Sequence, residues 1–303
     1  MSQIESTYKG RDVEETIDIY FYRPLGYIVA LACKSLRVTP NAVTISSILI
    51  GVACGHLLYY PDIALNGWGL LLWVIADVLD SADGQLARMT NHESKFGRIL
   101  DGLATNIIFI SIYGHLFARV VAAGESPWLF ILVLASAFSH SIQSALADYY
   151  RNAYLKFVVD PSRSELERST EVRAEYQSIS FSQHPFRKFL LRIYLNYTVE
   201  QELFSKNFQA LRNRVDEKFG QHVPEWLSEE YRRTNKPLIK YYAMLTTNTR
   251  VIIMAVCVLM NQVQLYFWAE VVGLDAVMII VAVYQERLSK MLLRRIDMET
   301  GAA

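Results

Sequence analysis

The stretch GWGLLLWVIADVLDSADGQLAR covers residues 67–88 and decides the fold. Its first half is apolar, and its second half carries Asp77, Asp80 and Asp83. An ionisable side chain at membrane depth costs about 2.5–3.5 kcal/mol, even on the scale derived from insertion experiments. Three carboxylates along one apolar helix therefore predict a bound cation or a water-filled cavity at this end of the segment.

Five further apolar blocks surround this stretch. The chain has 303 residues, 52% of them hydrophobic, and its mean hydropathy is +0.17. About 20 mostly apolar residues are enough to cross the hydrocarbon core of a bilayer. Six spans are predicted. The second begins with residues 67–79 and carries the three aspartates at its far end, and the others cover residues 42–60, 99–121, 128–147, 250–261 and 266–284.

Charge and cysteine usage narrow the class of protein. The formal net charge is zero, so nothing favours a nucleic acid, and none is predicted as a partner. The three cysteines are far apart in apolar surroundings, which predicts free thiols without a disulfide framework. The charged residues before the first apolar stretch argue against a cleavable signal peptide.

The polar segments divide the rest of the chain. Residues 1–40 are predicted to form an amphipathic surface helix over Glu15–Leu36, with Pro24 breaking the run. Residues 41–148 hold spans one to four with the acidic stretch, and residues 248–303 hold spans five and six with a basic tail.

Residues 149–247 are too charged to cross a membrane and predict a cytosolic insertion, with helical stretches such as 197–218. The predicted fold class is therefore all-α. It is a polytopic membrane helix bundle of six transmembrane helices, with an N-terminal interfacial amphipathic helix and a helical cytosolic insertion.

The loops predict the orientation in the membrane. Connections near Pro61, Gly124 and Gln262 carry almost no Lys or Arg, whereas the other connections and both chain ends are rich in them. Because positive charge is retained in the cytoplasm, both termini and the acidic end of the second span are expected on the cytosolic side. In a bacterium this would be the plasma or inner membrane.

The acidic residues have the spacing of a metal site. Asp80 and Asp83 lie about 60° apart around a helix, and Asp101 reaches the same point if spans two and three pack antiparallel. Carboxylate oxygens are preferred by Mg²⁺ and Mn²⁺. Arg88 adds a planar cationic fork suited to phosphate oxygens. Small residues beside the aspartates, namely Gly84, Ala87, Gly97 and Gly102, leave room for a helix or a nucleotide.

Residues 80–106 read DSADGQLARMTNHESKFGRILDGLATN and resemble the signature D-x2-D-G-x2-A-R-x8-G-x3-D-x3-D of the CDP-alcohol phosphotransferase family. Seven positions match at the family's spacing, namely Asp80, Asp83, Gly84, Ala87, Arg88, Gly97 and Asp101. A T-P-N-x-x-T segment at the start of span one, with Thr39, Pro40, Asn41 and Thr44, resembles the family as well.

The resemblance implies a transferase of phospholipid or related lipid synthesis. Such enzymes move a substituted phosphate group from a CDP-activated donor, CDP-diacylglycerol or a CDP-linked head group, to an alcohol acceptor and release CMP. The resemblance implies two Mg²⁺ or Mn²⁺ ions on Asp80, Asp83 and Asp101, and a homodimer. It also implies a nucleotide pocket lined by Gly84, Ala87, Arg88, Gly97, Asn41 and Thr44.

One position departs from the family pattern. The last signature aspartate, usually given the role of general base, is replaced by Thr105, which cannot accept a proton at neutral pH. Asp77 or His140 are candidate substitutes, and an acceptor hydroxyl activated by metal needs no dedicated base. Asp101 and Asp77 are the catalytic candidates. The alternative is a catalytically silent membrane protein that retains CDP-donor and metal binding.

Overall fold

The computed structural model describes residue 10, residues 12–220 and residues 222–299, leaving aside the side chain of residue 299. Within these residues the chain is helical and has no strand, so the predicted all-α class is confirmed. Parts of the predicted terminal segments, residues 1–40 and 248–303, lie outside the described residues.

Thirteen α-helices are present in the described residues. They are α1 Arg23–Ser35, α2 Pro40–Leu58, α3 Ile63–Thr90, α4 Lys95–Ala122, α5 Leu129–Tyr154, α6 Ser169–Ser178, α7 Pro185–Leu203, α8 Lys206–Phe219, α9 Glu225–Asn235, α10 Ile239–Met244, α11 Thr247–Leu259, α12 Val263–Trp268 and α13 Asp275–Glu299. Three π-helical turns, Asp18–Tyr22, Leu155–Val159 and Ala269–Leu274, adjoin α1, α5 and α13.

Six helical segments are long and apolar enough to cross a membrane, which confirms the predicted number. They are Pro40–Leu58, Ile63–Thr90, Lys95–Ala122, Leu129–Val159, Glu225–Leu259 and Val263–Met298. The division of the chain at residues 40, 148 and 247 stays a prediction.

Helix α3 continues from its apolar first half through the three aspartates to Thr90, because backbone hydrogen bonds form whatever the polarity of the side chains. It stops at Asn91, which is left-handed with φ 54°, and the N–H of His92 donates to the carbonyl of Ala87 over 2.9 Å.

The N-terminal helix and the insertion differ from their predictions. Pro24 does not break the helical run, because residues 16–35 are helical throughout and the π-helical turn Asp18–Tyr22 directly precedes the proline-containing turn of α1. The stretch 197–218, expected to be helical throughout, is interrupted at Phe204 and Ser205 between α7 and α8.

The described residues form two compact units. The first contains residues 14–138 and 250–271, and the second contains residues 10, 12–13, 139–249 and 272–299. The acidic stretch lies in the first unit.

Helix α2 is the central packing element of the first unit, where it contacts both α3 and α4. Gly51 and Gly55 face α4 so closely that a Cβ on Gly51 would lie 2.5–2.8 Å from Ile108, and one on Gly55 would lie 2.8 Å from the hydroxyl of Ser111. Small residues four apart let two membrane helices approach closely. The apolar core around this contact includes Cys54, Leu58, Trp73, Ile112 and Tyr113.

In the second unit, α13 packs along α8 and also contacts α9 and α10. The carboxylate of Glu286 on α13 accepts the backbone N–H groups of Asn207 (2.7 Å) and Phe208 (3.1 Å), which have no partner within α8. Six buried aromatic rings fill the centre of this unit, namely Tyr149, Tyr150, Phe157, Phe208, Tyr231 and Tyr242.

Candidate active site

Three carboxylates of the first unit converge on one point. Asp80 and Asp83 on α3 and Asp101 on α4 each offer an oxygen, and these oxygens lie within 4.8 Å of one another. Asp83 is buried with 5% of its surface exposed, and the other two are half-buried. The predicted meeting of the three side chains is therefore seen in the structure.

The local sequence accounts for this convergence. A short turn from Asn91 to Ser94 reverses the chain between α3 and α4, and the hydroxyl of Ser94 caps α4 by accepting the N–H of Gly97 over 3.0 Å. Helix α2 contacts both α3 and α4. The reversal of the chain brings the beginning of α4 back to the end of α3, where Asp101 meets Asp80 and Asp83.

Thr44 of α2 supports the carboxylate of Asp83. Its hydroxyl donates to Asp83 Oδ2 and also lies 3.2 Å from the carbonyl oxygen of Pro40. A hydroxyl has one proton, so it donates to one of these acceptors at a time. The family resemblance implied that Thr44 lines the nucleotide pocket, and its hydrogen bond to Asp83 was missed.

Arg88 lies one turn beyond Gly84 on α3. Among the described residues its guanidinium makes no hydrogen bond or ion pair, and its Nε is buried without a partner. A buried polar group of this kind is normally paired. The free donors suit an anionic ligand with several oxygens, such as a diphosphate.

The small residues leave space around these groups. A Cβ on Gly84 would meet only the Arg88 guanidinium, at 3.5 Å and beyond, and one on Gly97 would meet only the Ser94 hydroxyl at 3.2 Å. A Cβ on Gly102 would meet nothing within 4 Å. Ala87 is half-buried on α3.

Asn41 lies in the first turn of α2, and its side chain is exposed. The beginning of this helix is set by Thr39, whose hydroxyl accepts the N–H of Ala42 over 3.3 Å, and by Pro40 in the first turn. Thr39 and Pro40 therefore have a structural role at the start of the helix.

Asp77 is not part of the three-carboxylate group. Its Oδ2 accepts the indole N–H of Trp73 over 3.0 Å on the same helix. Thr105 is half-buried, and its hydroxyl lies 3.5 Å from the carbonyl oxygen of Asp101, one turn back on α4. His140, the other candidate for the base, is buried on α5 in the second unit.

Helix α1 packs against α3 beside the aspartates, a contact that sequence reasoning did not foresee. A Cβ on Gly26 would lie 2.8–2.9 Å from the side chains of Ser81 and Gln85. Gln85 Nε2 donates to the carbonyl oxygen of Arg23 over 3.0 Å, and Arg23 pairs with Glu14 at 2.8 Å. Gly26, a glycine within the predicted surface helix, was the one sequence signal that α1 approaches α3 closely.

The donor set fits a hard divalent cation. No basic side chain lies within ion-pairing distance of Asp80 or Asp83 among the described residues. Converging carboxylates repel one another, and a Mg²⁺ or Mn²⁺ ion relieves this repulsion with the oxygen ligands that it prefers.

Comparisons with known proteins agree with the signature. The model of the CDP-alcohol phosphatidyltransferase family matches residues 37–159. A CDP-diacylglycerol–glycerol-3-phosphate 3-phosphatidyltransferase of Cereibacter sphaeroides is 33% identical over 115 residues, which are 36% of this chain and 49% of that protein. An archaetidylinositol phosphate synthase of Pyrococcus horikoshii is 36% identical over 78 residues, which are 26% of this chain and 40% of that protein.

A putative cardiolipin synthase of Mycobacterium tuberculosis is 33% identical over 72 residues, which are 23% of this chain and 31% of that protein. The chain spans about half or less of the length of these relatives. No solved structure matches it. The range matched by the family model contains the three aspartates, and the match confirms the resemblance predicted from residues 80–106.

Proposed function

We propose that this chain, whose residues 37–159 match the model of the CDP-alcohol phosphatidyltransferase family, transfers a substituted phosphate group from a CDP-activated donor to an alcohol. The donor is CDP-diacylglycerol or a CDP-linked head group, and the product is a phospholipid or related lipid. The convergence of Asp80, Asp83 and Asp101 within 4.8 Å is the observation that carries this proposal. All three positions belong to the signature of the family.

Each residue of the site has a proposed role. Asp80, Asp83 and Asp101 would hold two Mg²⁺ or Mn²⁺ ions, which would supply charge neutralisation for the diphosphate of the donor. Arg88 donates to the phosphate oxygens of the donor. Thr44 orients Asp83, and Asn41 contacts the donor from the start of α2. Gly84, Ala87 and Gly97 leave room for the cytidine diphosphate.

In the proposed reaction the acceptor hydroxyl attacks the β-phosphorus of the donor. A bond forms between this phosphorus and the acceptor oxygen, the bond to the CMP oxygen breaks, and the hydroxyl loses its proton. We propose that Asp101 takes this proton, because it lies on α4, opposite Asp80 and Asp83 on α3. Asp77 is the second candidate, although its hydrogen bond to Trp73 holds it on its own helix.

The surroundings of the site are also part of the proposal. The excess of Lys and Arg in the connections on one side supports a cytosolic site with both termini in the cytosol. The protein is proposed to be an integral membrane protein that acts as a homodimer, on the strength of the family alone.

A second candidate function is supported by Thr105. A membrane protein that binds a CDP donor and a metal without turnover would keep the three aspartates and Arg88, and would not need the carboxylate that Thr105 replaces. The Thr105→Asp variant separates the two functions. If the wild type is a transferase, it releases CMP and we expect Thr105→Asp to release it faster. If the wild type is a silent binding protein, only Thr105→Asp releases CMP.

The test of the main proposal is CMP release by the purified chain with Mg²⁺ or Mn²⁺. CDP-diacylglycerol and CDP-linked head groups would each be supplied with a panel of alcohols. Release that depends on an acceptor supports the transferase and identifies the substrate pair. Absence of release from every pair, together with metal-dependent binding of a CDP donor, would contradict it in favour of the silent protein.

A further inference from the structure

The first unit contains a cavity of about 630 Å³ at the end of α4 remote from the three aspartates. Asp101 and Arg119 are separated by 18 residues of α4, which is about 27 Å at 1.5 Å per residue. That length approaches the roughly 30 Å thickness of a hydrocarbon core. The walls come from the turn after α2, the last turn of α4 and the turn between α11 and α12.

A buried cation lines this cavity. Arg119 is 4% exposed, and its Nη1 donates to the carbonyl oxygen of Leu58 over 2.9 Å and to Asn66 Oδ1 over 3.2 Å. Its Nη2 donates to Asn261 Oδ1 over 2.7 Å. All three acceptors are neutral, and no carboxylate pairs with Arg119 among the described residues. Its positive charge is therefore not compensated there.

The hydrogen-bond donors of Arg119 are not all used either. A guanidinium has five N–H groups, and the three bonds leave the Nε–H and one Nη2–H. The Nε is buried without a partner in the described residues. A buried charge without a counter-charge is strongly unfavourable, and guanidinium groups bind carboxylate and phosphate oxygens in pairs.

A purely structural role explains only part of these observations. Arg119 does connect the end of α2, the beginning of α3 and the turn after α11 through its three hydrogen bonds. That role does not account for the cavity beside the side chain or for the unused donors. A ligand with anionic oxygens would account for both.

The surroundings indicate where in the membrane the ligand lies. Trp268 lines the cavity and is 52% exposed. Tyr60 just after α2, Trp68 near the beginning of α3 and Trp128 just before α5 are exposed as well. Trp and Tyr gather at the level of the lipid head groups. The cavity therefore lies at the depth of phospholipid phosphates, and its volume falls within the range of small-ligand pockets.

We propose that the Arg119 cavity binds a phosphate-bearing group, either the head group of a phospholipid or a free phosphate anion. Arg119 provides the charge and the donors, and Asn261 holds the guanidinium at the wall. Glu125 is the acidic residue of the lining, is exposed, and makes no ion pair with Arg119 among the described residues. Its charge opposes an anion and limits the affinity.

The test uses the full chain, purified in a neutral detergent and phosphate-free buffer with EDTA, so that no divalent ion remains at the aspartates. Binding of radiolabelled inorganic phosphate is measured by equilibrium dialysis, and retention of phosphatidylglycerol by native mass spectrometry. Binding of free phosphate indicates a soluble anion, and retention of phosphatidylglycerol alone indicates a lipid head group. A wild-type chain that binds neither overturns the proposal.

Three variants locate the binding. Ala123→Phe fills the cavity from an exposed position and leaves the hydrogen bonds of Arg119 intact, and Arg119→Gln removes the charge. Both are expected to weaken binding at least about tenfold, the loss that accompanies one charge-assisted hydrogen bond. Glu125→Gln is expected to strengthen it.

Two controls distinguish phosphate binding in the Arg119 cavity from the proposed transferase activity at the aspartates. Arg88→Gln is expected to bind the phosphate probe as the wild type does in EDTA, and Ala123→Phe is expected to release CMP at the wild-type rate. If Arg119→Gln does not fold, the phosphate affinity of Ala123→Phe alone tests the proposal. Wild-type affinity in a folded Ala123→Phe variant would overturn the proposal.

Discussion

The two ends of α3 and α4 carry charge in different ways. At one end Asp80, Asp83 and Asp101 converge within 4.8 Å, and at the other Arg119 is held by three neutral acceptors. Like charges in a cluster require a ligand of opposite sign, whereas a single charge is partly satisfied by carbonyl and amide dipoles.

This difference determines whether the site at each end can be predicted from the sequence. A cluster requires several residue types at fixed spacings, and residues 80–106 show such a pattern. A lone arginine near the end of an apolar helix looks like any residue at a membrane boundary, and only the structure shows its buried side chain beside a cavity.

The largest expected effect is on metal binding at the acidic end. Asp83→Asn and Asp80→Asn are expected to weaken Mn²⁺ binding by more than the 10- to 100-fold typical of changes outside the ligands, because each removes an anionic oxygen donor. Electron paramagnetic resonance titration of free Mn²⁺ measures this.

The matched control for this prediction is Asp62→Asn at the other end of α3. The side chain of Asp62 caps the helix by accepting the N–H of Leu65 over 2.8 Å, and asparagine caps equally well. If Asp62→Asn lowers Mn²⁺ affinity as much as Asp83→Asn does, the comparison between the two ends fails.

The second-largest effect is expected on the rate of reaction with the CDP donor. Arg88→Gln is expected to lower kcat/KM for the CDP donor about 10- to 100-fold, because hydrogen bonds to charged groups contribute about 1.5–3 kcal/mol. Initial rates of CMP release over a range of donor concentrations measure it. Arg98→Gln, at an exposed arginine of α4, is the control and should change the rate little.

A smaller loss of metal affinity is expected when the hydrogen bond from Thr44 to Asp83 is removed. Thr44→Val keeps the shape of the side chain and removes its hydroxyl, so Mn²⁺ affinity should fall about tenfold. Thr90→Val removes a hydroxyl that bonds only to its own helix, at 2.8 Å from the carbonyl oxygen of Leu86, and should leave the affinity unchanged. Equal affinities in both variants would remove Thr44 from the site.

Changes at the contact between α2 and α4 are expected to have the smallest effect on metal and phosphate binding. Gly51→Ala places a Cβ 2.5–2.8 Å from Ile108 and should lower the free energy of unfolding by about 1–3 kcal/mol, with little change in metal or phosphate affinity. Thermal unfolding followed by circular dichroism measures this. Gly114→Ala, where a Cβ would meet nothing within 4 Å, should be neutral or stabilising by about 0.5–1 kcal/mol.

Much of the fold was predictable because spans are read from apolar length alone. The six spans and the meeting of Asp101 with Asp80 and Asp83 followed from hydropathy and spacing. The exact end of α3 was not predicted, because polarity marks where a span leaves the membrane, whereas the helix ends where Asn91 turns left-handed.

Other features depend on tertiary contacts that leave no local pattern. The hydrogen bond from Thr44 to Asp83 joins residues 39 positions apart, and the close packing of Gly26 on Ser81 depends on how α1 lies against α3. The break between α7 and α8 coincides with the capping of α8 by Glu286, which is 79 residues from Asn207. Sequence reasoning had no signal for these partners.

The most direct test of the central claim is CMP release by the wild type and by Asp83→Asn, each with Mg²⁺ and a matching donor and acceptor. The account predicts release by the wild type that requires both the metal and the acceptor, and its loss in Asp83→Asn while Asp62→Asn retains it. Undiminished release by Asp83→Asn would contradict the account, because the reaction would then not depend on the converging carboxylates.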